Sequence, residues 1–439
     1  MSIQKLQRLA WILVAGASLT AGESLTVSEA IQKAWRDQSG LKAGQAMVDS
    51  RQAEAEGYRD LRLPTLTLNA QGVNTNEPMM AFGIKLNQAR IGMADFNPAT
   101  LNHPDAIGAY GGSAVIQQPL YAGGRITAAR RAGEYLFQAE QASQERRKQE
   151  TARMVVEAYF GAQVAEQALL WVDDTLTWVK GLESFVGARV DQGLMLESER
   201  QRLLAAHAQV DAQRAEIHKQ VLAARSGLGL LTGTGPVEGP LGTPLEPSAP
   251  VTGAKASAAS RGDLVAADWQ ARAAAEGAKA AQGVNRPEVG LELGAGTLHH
   301  SWSDKGNWTW AGIGLKWKVF SAPDRAKAQA ANAQARAASE MRNFKQQQAE
   351  HEVRVARESV VAAEARTTAA KASLAAAEES KRLREARYKE GLLPLIDVLD
   401  ADAAVQGART LILQSLYDLR VSRAALDLAI GQPVEGVNP

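Results

Sequence analysis

The segment TLTLNAQGV at residues 65–73 alternates without a break. Leu66, Leu68, Ala70 and Gly72 fall on one face, and Thr65, Thr67, Asn69 and Gln71 on the other. EVGLELGAGT at 288–297 sets Val289, Leu291, Leu293 and Ala295 against Glu288, Gly290 and Glu292. WAGIGLKWKVF at 310–320 sets Ile313, Leu315 and Trp317 against Gly312, Lys316 and Lys318. Successive side chains of a strand point to opposite faces, so this period of two predicts strands over 65–74, 288–298 and 309–320. A fourth strand is placed at 113–121, with outer loops at 75–112 and 299–308. Runs of ~10 residues that alternate apolar with polar suit strands whose one face meets lipid. An ordinary sheet packed on helices would produce the same pattern.

The remainder reads as helix. LTVSEAI opens the first one, where Thr26 can cap the backbone and Glu29 can reach back to it. No proline occurs from 120 to 235 or from 324 to 393. The stretch 124–189 is then one helix of about 100 Å at 1.5 Å per residue, longer than the diameter of a globular domain. Ala-rich helices of this length pack along one another as coiled-coil-like bundles. They leave the strands at one pole with nothing to pack against, which favours lipid as the covering of the apolar face.

The chain also matches itself. Shifted by 198 residues, 188–233 aligns with 386–431 without a gap, from the ARxxxGL that holds Gly193 or Gly391 to the closing LxLxxG. YAGGRITAA at 121–129 lies over SAPDRAKAQ at 321–329, and Pro64 lies over Pro287. We read two copies of one unit: repeat 1 at 23–232 with a helical hairpin over 124–231, and repeat 2 at 261–432 with a hairpin over 323–431. A Pro/Gly-rich linker at 233–260 joins them, and 433–439 is a tail. Each RxxxGL falls where a long helix turns back, and Gly193 and Gly391 supply the backbone freedom for that turn.

Composition narrows the class. The chain has 439 residues, 45% apolar and 22% charged, with a net charge of +1 and no basic patch, so nucleic acid is not an expected partner. Residues 1–22 carry Lys5 and Arg8, an apolar run at 9–19 and the small residues 20–22, the pattern of a cleaved export signal. There is no cysteine, so neither a disulfide nor a lipid on an N-terminal Cys is expected. No later apolar run reaches 18 residues, and a membrane would have to be entered by strands. Four strands cannot close a spanning barrel, and open edges in lipid cost several kcal/mol per unpaired group. Other chains must complete the barrel, and a trimer gives twelve strands.

The paired units, QPLYAGGR at 118–125 and YKEGLLPLIDVLDA at 388–401 resemble the outer membrane factor (TolC-like) family of outer membrane efflux proteins along essentially the whole mature chain. The resemblance implies a mixed α/β membrane protein. A long antiparallel α-helical coiled-coil barrel carries four transmembrane β-strands per chain, completed to a twelve-stranded β-barrel in a homotrimer. It implies an outer membrane exit duct that extends into the periplasm as helix. Its partners would be a periplasmic adaptor (membrane fusion) protein, an inner-membrane pump of the RND or ABC type, and outer membrane lipid. In that family, acids at the positions of Asp397 and Asp400 line the periplasmic constriction.

Asp397 and Asp400 are three apart and share a helix face, so threefold symmetry makes them two rings of carboxylates that select cations. Asp397 aligns with Glu199, whereas Asp400 aligns with Arg202, so only one acid is doubled. Arg189, Gly193, Leu194, Arg387, Tyr388, Gly391 and Leu392 are expected at exposed tips that meet the adaptor. Trp302, Trp308, Trp310 and Trp317 are expected as an interfacial girdle. His299, His300 and His103 lack the spaced acids or Cys of a metal site, and AGGR at 122–125 lacks the Lys of a phosphate loop. No cofactor, metal or enzyme activity is expected. A soluble periplasmic coiled-coil scaffold, or the adaptor itself, is the alternative. The strand alternation opposes the first, and the helical end without later β-rich domains opposes the second.

Overall fold

The structure, a computed structural model, describes residues 24–247, 261–301 and 306–437. The export signal, Trp302 and much of the linker lie outside the described residues. The elements in chain order are α1 (Val27–Asp37), α2 (Ser39–Asp60), β1 (Thr65–Thr75), α3 (Pro78–Asn87), α4 (Pro98–Asn102), β2 (Ile107–Ala122), α5 (Arg125–Asp191), α6 (Glu197–Thr232), α7 (Gly262–Gly283), β3 (Glu288–His299), β4 (Asn307–Lys316), α8 (Ala322–Lys389) and α9 (Leu395–Ile430). The chain is mostly helical with one small antiparallel sheet, and it divides into two compact units.

The first unit takes in 24–46, 142–264 and 346–437 and is all helix and connecting loop. Thr26 caps α1 as anticipated: its hydroxyl accepts from the Glu29 N–H, and the Glu29 carboxylate accepts from the Thr26 N–H. The first helix then breaks at Gln38, whose backbone is extended, so α1 and α2 replace a single helix. The end of α6 presses there, because a Cβ on Gly233 would stand 2.9 Å from the Asp37 backbone. Around α1 the core gathers Ile31, Val155, Tyr159, Phe160, Leu228 and Leu428. The Tyr159 hydroxyl donates to the Leu25 carbonyl at 2.6 Å and accepts from the Thr243 N–H at 2.9 Å. That ties the segment after α6 into the bundle.

The second unit takes in 47–141 and 265–345 and holds the sheet, in the order β1-β2-β3-β4 with every pair antiparallel. Its register carries one row through Leu66, Ile116, Leu293 and Ala311, and another through Leu291 and Ile313. This apolar face is bare: Leu68 is 74%, Ile313 72% and Leu315 70% exposed. The opposite face carries the rows Thr65–Gln117–Glu292–Gly312 and Asn69–Ser113–Gly296–Trp308.

Two strands differ from expectation. β2 begins at Ile107 rather than at 113, because Thr75↔Ile107 through Gln71↔Gly111 extend the ladder over a stretch where Gly108, Gly111 and Gly112 blur the alternation. The loop between β1 and β2 is correspondingly shorter, and it folds into α3, a 3-10 turn at Met93–Phe96 and α4. β4 ends at Lys316 rather than at 320. β3 starts only at Glu288, opposite Lys316, so residues 317–320 have no ladder partner.

Candidate functional site

Two turns of the same construction mark the ends of the helical hairpins. After α5, the Gly193 N–H donates to the Val190 carbonyl at 2.9 Å and the Leu194 N–H to the Arg189 carbonyl at 2.8 Å. After α8, the Gly391 N–H donates to the Tyr388 carbonyl at 2.9 Å and the Leu392 N–H to the Arg387 carbonyl at 2.9 Å. Both glycines are left-handed, with φ of 73° and 77°, a conformation that any Cβ disfavours. The turns leave Leu194 at 68% and Leu392 at 67% exposed. Arg387 is exposed, while Arg189 is half-buried with its guanidinium over the Phe185 ring at 4.6 Å.

Tyr388 departs from the expected exposed tip. It is buried at 4% exposure among Val186, Leu203, Leu395 and Val398, edge-on to Phe185 at 6.2 Å, with its hydroxyl 3.8 Å from the Met195 sulfur. Three residues before Gly391, it faces back into the bundle rather than out of the turn. Burial pushes its hydroxyl pKa up; the Glu199 carboxylate adds to the rise and the Arg189 charge opposes it. The tip therefore has an apolar core shared by both hairpins.

The acids sit just behind that core. Asp397 is half-buried in the first turn of α9, its N–H donating to the Pro394 carbonyl and its carbonyl accepting from Arg384 at 3.3 Å. Asp400 is exposed. Among the described residues no ion pair neutralises Asp397 or Asp400. Glu199 is half-buried, 3.8 Å from Arg202, and its Oε2 is buried without a hydrogen-bond partner. Among the described residues no set of three or more His, Asp or Glu side chains is grouped to hold a metal ion.

A polar network that the sequence reading missed ties α5, α8 and α9 together. Lys381 pairs with Asp402 at 2.7 Å and lies 3.8 Å from the Trp178 ring centroid. Gln406 donates to the Thr175 hydroxyl at 2.6 Å, and Arg409 stacks over Trp171 at 5.3 Å while donating to its carbonyl. Asp402 and Lys381 are mostly buried, so neither charge has water as a ready alternative. The only sequence signal is that Asp402, Gln406 and Arg409 recur four and three apart on one stripe of α9. Their partners lie in α5 and α8, beyond the reach of local spacing.

The tryptophans divide. Trp308 and Trp310 stand on the face opposite Ile313 and Leu315, packed over Gly296 and Gly294. A Cβ on those glycines would lie 2.2 Å and 2.1 Å from the indoles. Their odd spacing from Ile313 sets both on the face that carries Glu292 and Asn69, away from Leu293 and Ile313. Trp317, past the end of β4, donates from its indole to the Asn285 carbonyl at 3.0 Å.

The sequence profile of a family described as Outer membrane efflux protein matches residues 30–234 and 254–432. No curated protein sequence matches the chain. Among solved structures, the fold is similar to the Vibrio cholerae outer membrane protein VceC, with a TM-score of 0.77 at 21% identity over 93% of this chain and 96% of that one. It is similar to the Campylobacter jejuni CmeC outer membrane channel, with 0.80 at 15% identity over 94% and 86%. It is also similar to the open state of the Neisseria gonorrhoeae MtrE outer membrane channel, with 0.78 at 19% identity over 94% and 90%.

Proposed function

The chain belongs to the outer membrane efflux protein family, and on that premise we propose that it is the outer membrane exit duct of a tripartite efflux or one-step secretion system. Three copies build the duct. The observation that carries the reading is the sheet: one face bare and apolar, the other polar, and both edge strands, β1 and β4, unpaired within the chain. The 10 residues of β4 rise about 33 Å, and a tilt of about 40° brings that to the ~25 Å apolar band of a spanning barrel. Joining β4 of one copy to β1 of the next satisfies both edges, and three copies give twelve strands.

The helical hairpins reach into the periplasm, where a closed ring of three chains conducts passively. Threefold symmetry turns the free carboxylates of Asp397 and Asp400, with Glu199 behind them, into negative rings at the narrow end, which admit cations and bind divalent ions. Leu194 and Leu392, set out by the two glycine turns beside Arg387, receive the helical hairpin of a periplasmic adaptor that links the duct to an inner-membrane pump. Residues 1–22 direct export. The duct has no cofactor.

Single-channel recording in a planar bilayer tests the duct and the gate together. The wild-type protein gives small, cation-selective steps that divalent cations on the periplasmic side block. An Asp397→Ala, Asp400→Ala double variant conducts without the block. An unchanged block would move the gate away from these carboxylates and leave the duct standing. A protein that stays soluble without detergent and never inserts would return the coiled-coil scaffold.

A further inference from the structure

The segment between β1 and β2 folds back onto the sheet, and the side it chooses is informative. Ala81 and Ile84 of α3 are buried against Val73, Ile107, Ala109 and Leu298. Those four strand positions share the polar face with Asn69 and Trp308, not the bare apolar face of Leu66 and Ile313. Gln88, one turn further on, is also buried, and a Cβ on Gly306 would meet the Asn87 carbonyl at 2.7 Å. The segment is braced: Phe82 meets Phe96 edge-on at 6.0 Å, Lys85 pairs with Asp95 at 2.9 Å, and the Asp95 carboxylate accepts from the Gly92 N–H at 2.8 Å.

The far side of α3 is apolar as well. Met79 and Leu86 are seven residues apart, on one stripe opposite Ala81 and Ile84, and they are 80% and 57% exposed. If the apolar sheet face meets lipid, the polar face lines the lumen, and α3 lies inside the barrel with this stripe turned to its axis. Twelve strands about 4.8 Å apart and tilted about 40° close a wall of radius about 12 Å. A helix about 10 Å thick lying on that wall comes within about 2 Å of the axis. The space left for the Met79–Leu86 stripe holds one thing that the assembly supplies, the same helix of the other copies.

We infer that α3 is an outer gate: three copies meet across the barrel through Met79 and Leu86 and close its mouth with an apolar constriction. The inference rests on the trimeric duct proposed above. An apolar constriction blocks ions by excluding water, so it complements the cation-binding rings rather than repeating them. Opening requires α3 to lift from Val73, Ile107, Ala109 and Leu298. That interface consists of a few small aliphatic contacts, fewer than hold the helical bundle.

The chain has no cysteine, so single substitutions report cleanly. Met79→Cys and, separately, Leu86→Cys are made in the full chain, and the purified protein in detergent is treated with a short bis-maleimide. A Leu68→Cys variant on the bare sheet face is the control, and amine cross-linking of each preparation reports the trimer. Covalent dimers, leaving one chain of each trimer uncoupled, are expected at Met79→Cys or Leu86→Cys and not at Leu68→Cys. Trimers that give no dimer at either gate position, and that take up a bulky polyethylene-glycol maleimide there as fast as Leu68→Cys does, overturn the gate and keep the duct. Absence of a trimer in the wild-type protein overturns the duct and the gate with it.

Discussion

Asp427, near the end of α9, is lifted by burial to a pKa of about 6; the Glu435 N–H bonded to it offsets part of the rise, the Glu435 charge adds to it, and Arg423 opposes it. Its folded value lies above the unfolded one near 3.9, so the folded state holds the proton more tightly. The stabilisation is therefore fully present below about pH 4 and is lost as pH rises through about 6. With solvent screening the lost part is about 1–2 kcal/mol. Asp427→Asn keeps the shape and removes the charge, so it should unfold at higher denaturant than the parent at pH 8, with the difference shrinking toward pH 4.5. Urea unfolding followed by helical circular dichroism reads this, and equal midpoints at pH 8 would show that water reaches the carboxylate. At this scale the sequence was a partial guide. The IDVLDA spacing put Asp397 and Asp400 in one turn of α9, as the structure does, but Tyr388 looked like a tip residue because nothing local says which way a side chain near a turn is packed. The Lys381–Asp402 pair was invisible for the same reason: its members are held by helices far apart in the chain.

At the scale of elements, turn chemistry and periodicity were read well because they are local. The glycine turns at 193 and 391 and the Thr26–Glu29 cap follow from backbone geometry within five residues. The strand limits were read less well, since a ladder stops where its partner stops. Gly294 and Gly296 are a sharper case, because each leaves room on β3 for an indole from β4. Gly294→Ala places a methyl 2.1 Å from the Trp310 indole nitrogen, and the ring has to leave its site. The expected cost is about 1–3 kcal/mol, as for overpacking in general. Adding Trp310→Ala to Gly294→Ala should recover part of it, and a double-mutant cycle on the thermal unfolding of the sheet measures the coupling. Strictly additive effects would sink this account of the glycines.

For the whole molecule, the tips and the sheet make separable demands. Leu194 and Leu392 are exposed apolar side chains, and the left-handed position of each turn belongs to the glycine before them. On the proposed function, a Leu194→Asp, Leu392→Asp variant should conduct like the parent in a bilayer, yet bind the proposed periplasmic adaptor about tenfold more weakly or worse, the loss of about 1.4 kcal/mol or more that a buried contact supplies. Pull-down with the purified adaptor checks this, and undiminished capture would shift docking to the flanks of the hairpins. By itself the amino-acid sequence determined the strand and helix character of most of the chain and the two glycine turns, and it raised the expectation that partner chains close a four-stranded sheet. Each of these follows from a period of two, a proline-free run, a residue type, or a count of strands. Only the tertiary structure decided that the first helix breaks at Gln38, that Tyr388 is buried, and that α3 folds onto the polar face of the sheet. Each of those outcomes depends on contacts between segments remote in the chain, and local pattern carries no record of which remote segment will arrive.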